Sequence, residues 1–443
     1  MRHTAGVCRL IYFMRAAPRD GIRRLLEGFD AGMRALFQEL VGREVGDAAW
    51  AQTGLPSKMA GVGLRSAMAC ADASYLASRM GSREACSKLD SGFVWEGRGD
   101  ISERTCLGAA EEGFNQLVGG SAAVDVEGER VWSSGELNKL VDQAGWDALW
   151  QAASQWDRVR LLGLKEVKEF TGLFKLSRVW LEGVPSGALD TRLSNEEFSS
   201  RVGRRLGVEL NEEGHCPFCF QVMDVFGAHS ECCMAGGDRV LLHNEQRDTL
   251  HRQAGAAGAR PELESSGLLA GLGEPVLAGR RPADTLLCSA VGVRTAKGRR
   301  LPRVAVDLGF VCPQATSHVV RAGEESLRTA TDYTERKRVH GGTDRRCEEA
   351  QIDYQPCVFE TFGGGTEEAV RMIESLNKLV AVKTHTPHRE VAHRLWHRMS
   401  VDLQRALHRA WVRRVGTRVV PRASWVSRAL AGASALTFPE GRL

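Results

Sequence analysis

Apolar residues recur at helical spacing from Ile22 to Leu40, at Ile22, Leu25, Leu26, Phe29, Met33, Leu36, Phe37 and Leu40. A return every three or four residues places them on one face of a helix, with Asp20 as its N-cap. Gly54-Leu55-Pro56 breaks the pattern, and Gly61 to Ser66 leads into an Ala-rich helix over Ala67–Arg79. Residues 85–135 are mixed and Gly-rich and predict no regular element. Helical spacing returns over Ser134–Leu162, with Trp146, Leu149, Trp150 and Trp156, and continues weakly to Trp180. Residues 181–215 read as a junction, in which Ser194 and Glu197 form a capping box that opens a short helix to Leu206.

Beyond residue 238 the pattern changes. Arg239–Ala254 predicts a helix. Thr285–Cys288, Val304–Leu308 and Cys357–Glu360 are short apolar runs of the kind that form buried strands, the last ended by the turn Gly363-Gly364-Gly365. Residues 292–303 form a basic, hairpin-like connection carrying Arg294, Lys297, Arg299, Arg300 and Arg303. Helices are expected over Glu324–His340, Glu367–Val382 and Arg389–Arg414. The fold class is therefore α+β and multidomain: a helical N-terminal half, then an α/β domain with C-terminal helices.

Composition narrows this reading. A chain of 443 residues can hold two or three cores, and 43% hydrophobic with 26% charged residues is ordinary for a globular protein. No apolar run approaches the roughly 18–20 residues that cross a bilayer, so no membrane partner is expected. Arg9 interrupts the apolar stretch of the first residues, and no secretory leader is expected there. Twelve cysteines are scattered with one clear pair at ligand spacing, which suits a reducing, intracellular compartment. A net charge of +4 is too small to argue for nucleic acid by itself.

Cys216, Cys219, His229 and Cys233 form a C-x2-C-x9-H-x3-C array. Thiolates and an imidazole at this spacing suit a closed, structural tetrahedral zinc site, a small knuckle over 211–240. Cys232 is the alternative to Cys233, and His215 a less favoured neighbour. Downstream, Asp284 precedes one predicted strand and Asp307 ends the apolar run of another. Carboxylates on neighbouring strands can share a Mg²⁺ ion, as phosphodiester hydrolysis requires. Glu264 is placed to add a third oxygen, with Glu262 equal to it by spacing. Glu360 ends the third strand and is expected to be structural. The helix over 389–414 carries Arg394, Arg398, Arg405, Arg409 and Arg413, a pattern that fits either a phosphate contact or a solvated face.

Several of these segments resemble a known arrangement. Phe29-Asp30, Trp50-Ala51-Gln52, Leu55-Pro56, Gly61 to Ala67 and Tyr75 to Ser78 resemble the thumb of non-LTR retrotransposon reverse transcriptases. Trp180 to Pro185 and Arg205-Leu206-Gly207 resemble their linker, and the four metal-type residues resemble their CCHC motif. Gly236 to Arg239 and His243-Asn244 with Arg247-Asp248 resemble the stretch just downstream of that motif. Arg281-Pro282-Ala283-Asp284, Asp307 and Lys337 resemble their restriction-enzyme-like endonuclease of the PD-(D/E)XK group.

The resemblance implies a thumb-like segment over 1–84, a helical linker over 85–210, the knuckle over 211–240 and an endonuclease-like domain over 241–420. It implies DNA nicking in a nuclear setting, with DNA and also RNA as partners. Asp284, Asp307 and Glu264 would hold Mg²⁺, and Lys337, migrated onto a helix, would stabilise charge. Arg281, Arg300, Arg336 and Arg338 would meet the nucleic acid. Two departures stand out. No Asp-Asp dipeptide occurs, so the catalytic pair of a polymerase palm is missing and polymerase activity is not expected of this chain. Ala228 stands where such relatives carry an acid, which removes a capping contact but no ligand. The alternative reading is an inactive, zinc-containing nucleic-acid-binding remnant.

Overall fold

The computed structural model describes residues 6–416 except 96, 98–104, 120–122, 167–171, 173–174, 273–280 and 299–300. The described residues divide into two compact units, one running to Ala152 and one beginning at Ala153.

The first unit is helical: α1 (Ile11–Ala16), α2 (Arg23–Val41), α3 (Asp47–Gly54), α4 (Ala67–Leu89), α5 (Cys106–Val118) and α6 (Ser134–Ala152). The stripe on α2 buries Leu26, Met33, Phe37 and Val41, whereas Leu25, Leu36 and Leu40 stay exposed. Asp20 does not cap it. The N-cap is Ile22, and Asp20 instead pairs with Arg23 at 2.6 Å. Asp30 braces the start of another helix, α4, beside its N-cap Ser66. Its carboxylate accepts hydrogen bonds from Ser66 Oγ (2.6 Å) and from the N–H groups of Ala67 (2.7 Å) and Met68 (3.2 Å) at the start of α4. A negative charge at a helix N-terminus is stabilising because the first N–H groups have no intrahelical acceptor. Gly61 is required for close approach: a Cβ there would lie 1.9 Å from the Leu55 carbonyl oxygen.

The second unit begins with α7 (Gln155–Leu164), α8 (Lys175–Glu182) and α9 (Asn195–Leu206), the last opened by the expected Ser194–Glu197 capping box. Two short strands, β1 (Gly214–His215) and β2 (Val222–Met223), pair antiparallel, and α10 (His229–Cys232) comes next. Then come α11 (Asp238–Ala257), β3 (Pro261–Leu263), β4 (Thr285–Leu287) and β5 (Arg303–Val311). Helices α12 (Val319–Ala322), α13 (Arg328–Val339) and α14 (Thr343–Glu349) carry the chain to β6 (Ile352–Glu360). The described chain closes with α15 (Glu367–Thr384) and α16 (His388–Val415).

The larger sheet has the order β3-β4-β5-β6, antiparallel at its first two pairings and parallel between β5 and β6. Alternation along β5 sorts its side chains. Val304, Val306, Leu308 and Phe310 enter the main core with Leu242 and Leu250 of α11, Met372 and Ile373 of α15, and Trp396 and Met399 of α16. Ala305 faces the other way, into a smaller cluster with Leu286, Cys347, Ile352 and Tyr354. Asp307 shares that second face.

A buried ion network joins α9 to α10. The Glu231 carboxylate receives Arg201 Nη2 at 2.9 Å and Arg204 Nε at 3.2 Å, and all three side chains are shielded from water. Truncating one member leaves uncompensated charge in the interior. Glu231→Ala is therefore expected to lower unfolding stability by about 3–5 kcal/mol. Denaturant titration of the purified chain measures this, and an unchanged midpoint would show that the network contributes nothing net.

Candidate functional site

Two constellations stand out in the second unit. The first is built on the β1–β2 hairpin and the start of α10. Cys216 and Cys219 sit in the hairpin turn, where Phe220 takes a left-handed φ of 60°. The turn closes through Phe220 N–H to the Cys216 carbonyl (2.9 Å) and Cys216 N–H to the Gln221 carbonyl (2.9 Å). Asp224 supplies the cap that Ala228 lacks: its oxygens accept from the N–H groups of Phe226 (3.0 Å), Ala228 (3.0 Å) and His229 (2.8 Å). This fixes His229 and, one turn later, Cys233.

The ligand atoms of Cys216, Cys219, His229 and Cys233 all lie within 4.8 Å of one another. Cys216 and Cys233 sulfurs are 4.0 Å apart, Cys233 and Cys219 sulfurs 3.6 Å, and Cys219 Sγ and His229 Nε2 3.2 Å. A tetrahedron with Zn–S of about 2.3 Å and Zn–N of about 2.0 Å has edges of about 3.5–3.8 Å. The group can thus hold a tetrahedral metal ion such as zinc. Among the described residues it is the one group of three or more His, Cys, Asp or Glu side chains that converges this closely. Cys232 is not part of it.

The second constellation lies where β3, β4 and β5 run side by side. Thr285 pairs with Val306 and Leu263 with Thr285, so one step further Glu264, Asp284 and Asp307 form a row. Glu264 N–H donates to the Asp284 carbonyl (3.0 Å) and Asp284 N–H to the Val306 carbonyl (2.9 Å). Asp284 Oδ2 accepts from Leu308 N–H (2.7 Å) and meets His243 Nε2 of α11 at 3.0 Å. Lys337 Nζ of α13 donates to Asp307 Oδ1 at 2.6 Å and to the Leu308 carbonyl at 3.3 Å. Tyr354 donates its hydroxyl to the other Asp307 oxygen.

The two aspartates are electrostatically unequal. Burial resists ionisation of both. At Asp284 the His243 hydrogen bond and the Leu308 N–H overcome it and hold the carboxyl below its usual range. At Asp307 burial, with the Asp284 charge added, outweighs Lys337 and holds the carboxyl above its usual range. The Asp284 hydrogen bond raises His243, so that ring keeps its proton to higher pH than a free histidine.

Asp284, Asp307 and Lys337 thus come together as the sequence suggested. Glu264 reaches the same row but is engaged by Arg247 and by Arg281 (3.1 Å). Arg281 and Arg336 keep access to solvent, whereas Arg338 is turned inward onto Glu368. Arg300 lies outside the described residues. The arginines of α16 face partners: Arg394 pairs with Glu390, Arg398 with Asp402, Arg405 with Asp190, Arg409 with Glu245 and Arg413 with Asp238. Arg398 and Arg405 are the more enclosed of these, whereas Arg394, Arg409 and Arg413 stay largely exposed, the first two in weak surface pairs.

Three participants escape the sequence reading. His243 lies in a segment that carries the resemblance, but no role is attached to it there. Tyr354 lies upstream of the strand expected at Cys357. Gly309 sits two residues after Asp307, and a Cβ there would come within 3.0 Å of Lys337 Cε. The missing side chain at 309 is the one available signal for a lysine arriving from elsewhere.

No protein-family model matches the chain, and the search of curated proteins returned no significant match.

Replacing Cys233 with serine is expected to abolish stoichiometric zinc, and replacing Cys232 to leave it intact, as read by metal analysis after gel filtration. Equal zinc in both variants would move the fourth ligand elsewhere. A second expectation concerns Glu360, which ends β6, accepts from Ala330 N–H at 3.3 Å, and is pushed up to about 7 by burial. Below about pH 4.5 this carboxyl is protonated folded or unfolded. From there to about 7 only the folded chain retains the proton, so stability falls as pH rises. The slope is at most about 1.4 kcal/mol per pH unit. Glu360→Gln should flatten that fall in denaturant midpoints, and an unchanged slope would assign it to other groups.

Proposed function

We propose that the chain is a retroelement-derived, Mg²⁺-dependent endonuclease that nicks DNA, with zinc in the Cys216–Cys233 group as a structural staple. The observation that carries this reading is the meeting of Lys337 with Asp307 over Gly309. An acid on a strand, a glycine where the next same-face side chain would be, and a lysine entering that space from a helix together make the migrated-lysine arrangement. The order α11, β3-β4-β5, α13, β6 suits the PD-(D/E)XK-like domain that the sequence resemblance implied.

The donor set suits a hard cation: the Asp284 and Asp307 carboxylates offer oxygen ligands, and although Asp284 Oδ2 already takes two hydrogen bonds, each Asp307 oxygen takes one and retains a lone pair. A bound Mg²⁺ would polarise the scissile phosphate and lower the pKa of an attacking water. Asp284 and Asp307 would hold it. His243 fixes the orientation of Asp284, and Tyr354 that of Asp307. Lys337, seated on Asp307, would stabilise negative charge developing at phosphorus. Glu264, fastened by Arg247 and Arg281, positions those arginines beside the acids. Arg281 and Arg336 suit backbone phosphates, which position a duplex without reading its sequence.

A specific observation favours the second reading, an inactive nucleic-acid-binding remnant: each acid is already engaged within the protein, Asp284 by His243 and Asp307 by Lys337. Plasmid nicking separates the two. The full chain with Mg²⁺ is expected to convert supercoiled plasmid to open circles. Asp307→Asn and Lys337→Ala should each slow this by about 100-fold or more, with gel-shift binding retained. Salt-sensitive binding without nicking by the unaltered chain would select the remnant.

A further inference from the structure

Cys232 is adjacent to the metal ligand Cys233, yet its sulfur points elsewhere. It lies 2.6 Å from the sulfur of Cys312, the residue just after β5. The two are far apart in sequence and both are free thiols. Two thiolates on one zinc ion stand about 3.8 Å apart, so this pair is no extension of the metal group. It is closer to the disulfide bond length of about 2.05 Å than to such an edge.

The juxtaposition is built into the backbone on both sides. Arg204 holds Glu231, the neighbour of Cys232, through Nε at 3.2 Å and Nη2 at 3.2 Å. The same guanidinium holds Gln314, two residues beyond Cys312, and Gln314 in turn donates to the Trp156 carbonyl at 3.1 Å. One buried cation thus clamps the two cysteine-bearing segments together. Cys312 is 3% exposed and Cys232 is half-buried, so Cys232 is the more accessible residue of the pair.

We propose that Cys232 and Cys312 are an oxidation site, forming a reversible disulfide that staples the metal-binding knuckle to the end of β5. The oxidant is a low-molecular-weight disulfide such as oxidised glutathione. The Cys232 thiol gives up its proton and its sulfur attacks one sulfur of the oxidant, the glutathione S–S bond breaks, and one glutathione leaves as thiol. Cys312 then gives up its proton and attacks Cys232 Sγ in the mixed disulfide, releasing the second glutathione. The two protein thiols lose two electrons and two protons, which the oxidant carries away as two thiols. The zinc ligands take no part.

The zinc-loaded full chain is treated with oxidised glutathione, alkylated, digested without reductant and analysed by mass spectrometry. The expected result is a cross-linked peptide containing Cys232 and Cys312, loss of two alkylatable thiols, zinc content unchanged, and reversal by dithiothreitol. Cys312→Ser or, should that variant not fold, Cys232→Ser, should keep its zinc and lose the cross-link. Alkylatable Cys232 after oxidation, a stable glutathione adduct on it, or its linkage to a zinc ligand with metal release would each overturn the proposal. So would the same loss of two thiols in both variants.

Discussion

A carboxylate without access to water, shared by two guanidinium groups, sets the geometry of the second unit. Glu231 comes from α10, and Arg201 and Arg204 from α9. Arg204 also reaches Gln314 beyond β5 and lies over the Phe362 ring at 5.1 Å. Taking such charges out of water is costly, and a buried ion pair is weak evidence for net stability. Its contribution here is uniqueness. Few arrangements of α9, the knuckle and the end of β5 leave all three charges satisfied, so those elements have little freedom to slide.

The same logic carries from the knuckle to the acids. Asp238, the first residue of α11, receives Arg413 and Arg414 of α16 at 2.7 Å each. Arg414 also donates to the Ala235 carbonyl at 2.7 Å, and Phe218 of the hairpin turn lies 5.1 Å from both guanidinium carbons. The start of α11 is thereby fixed to the knuckle, and little more than a turn later the helix presents His243 to Asp284. A metal in the knuckle would stiffen the loop next to this contact. That gives the Cys/His group a physical route to the acidic row without any ligand of its own there.

How much of this was legible depended on whether burial and polarity agreed. Where they did, the pattern served. The helix expected over 389–414 runs His388–Val415, and the strand expected at Val304–Leu308 extends to Arg303–Val311. Where they conflicted, it failed. The first half of β6 contains Asp353, Gln355 and Pro356, which argue against a buried strand, yet every residue of β6 is buried. The connection between β4 and β5 explains this: Thr295 donates to Asp353, and Ala296 N–H donates to Gln355 at 2.9 Å. Pro356 is tolerated because β6 is the last strand in the sheet order. β3 was missed because Pro261-Glu262-Leu263 is too short and too polar to show a period. In the N-terminal unit, α5 lay inside the stretch that predicted nothing, because its glycines masked an amphipathic face that buries Leu107, Phe114 and Val118. The Cys216–Cys219–His229–Cys233 cluster was legible because its spacing in the sequence already groups the four residues. The acids needed strand register, which no local pattern supplies.

Register also creates the problem that the neighbouring side chains solve. Two aspartates side by side on adjacent strands, both largely withdrawn from water, disfavour each other's ionised form. Each is given its own hydrogen-bonding partner from a different helix, His243 from α11 for Asp284 and Lys337 from α13 for Asp307. A Cβ at position 309 would come within 3.0 Å of Lys337 Cε and of the Tyr333 ring, so the glycine leaves the lysine room beside Asp307. The compensation is uneven, with Asp284 held more acidic and Asp307 less acidic than a free aspartate. Such unevenness is what a site needs if one carboxylate is to stay charged while its neighbour responds to the next charge that arrives.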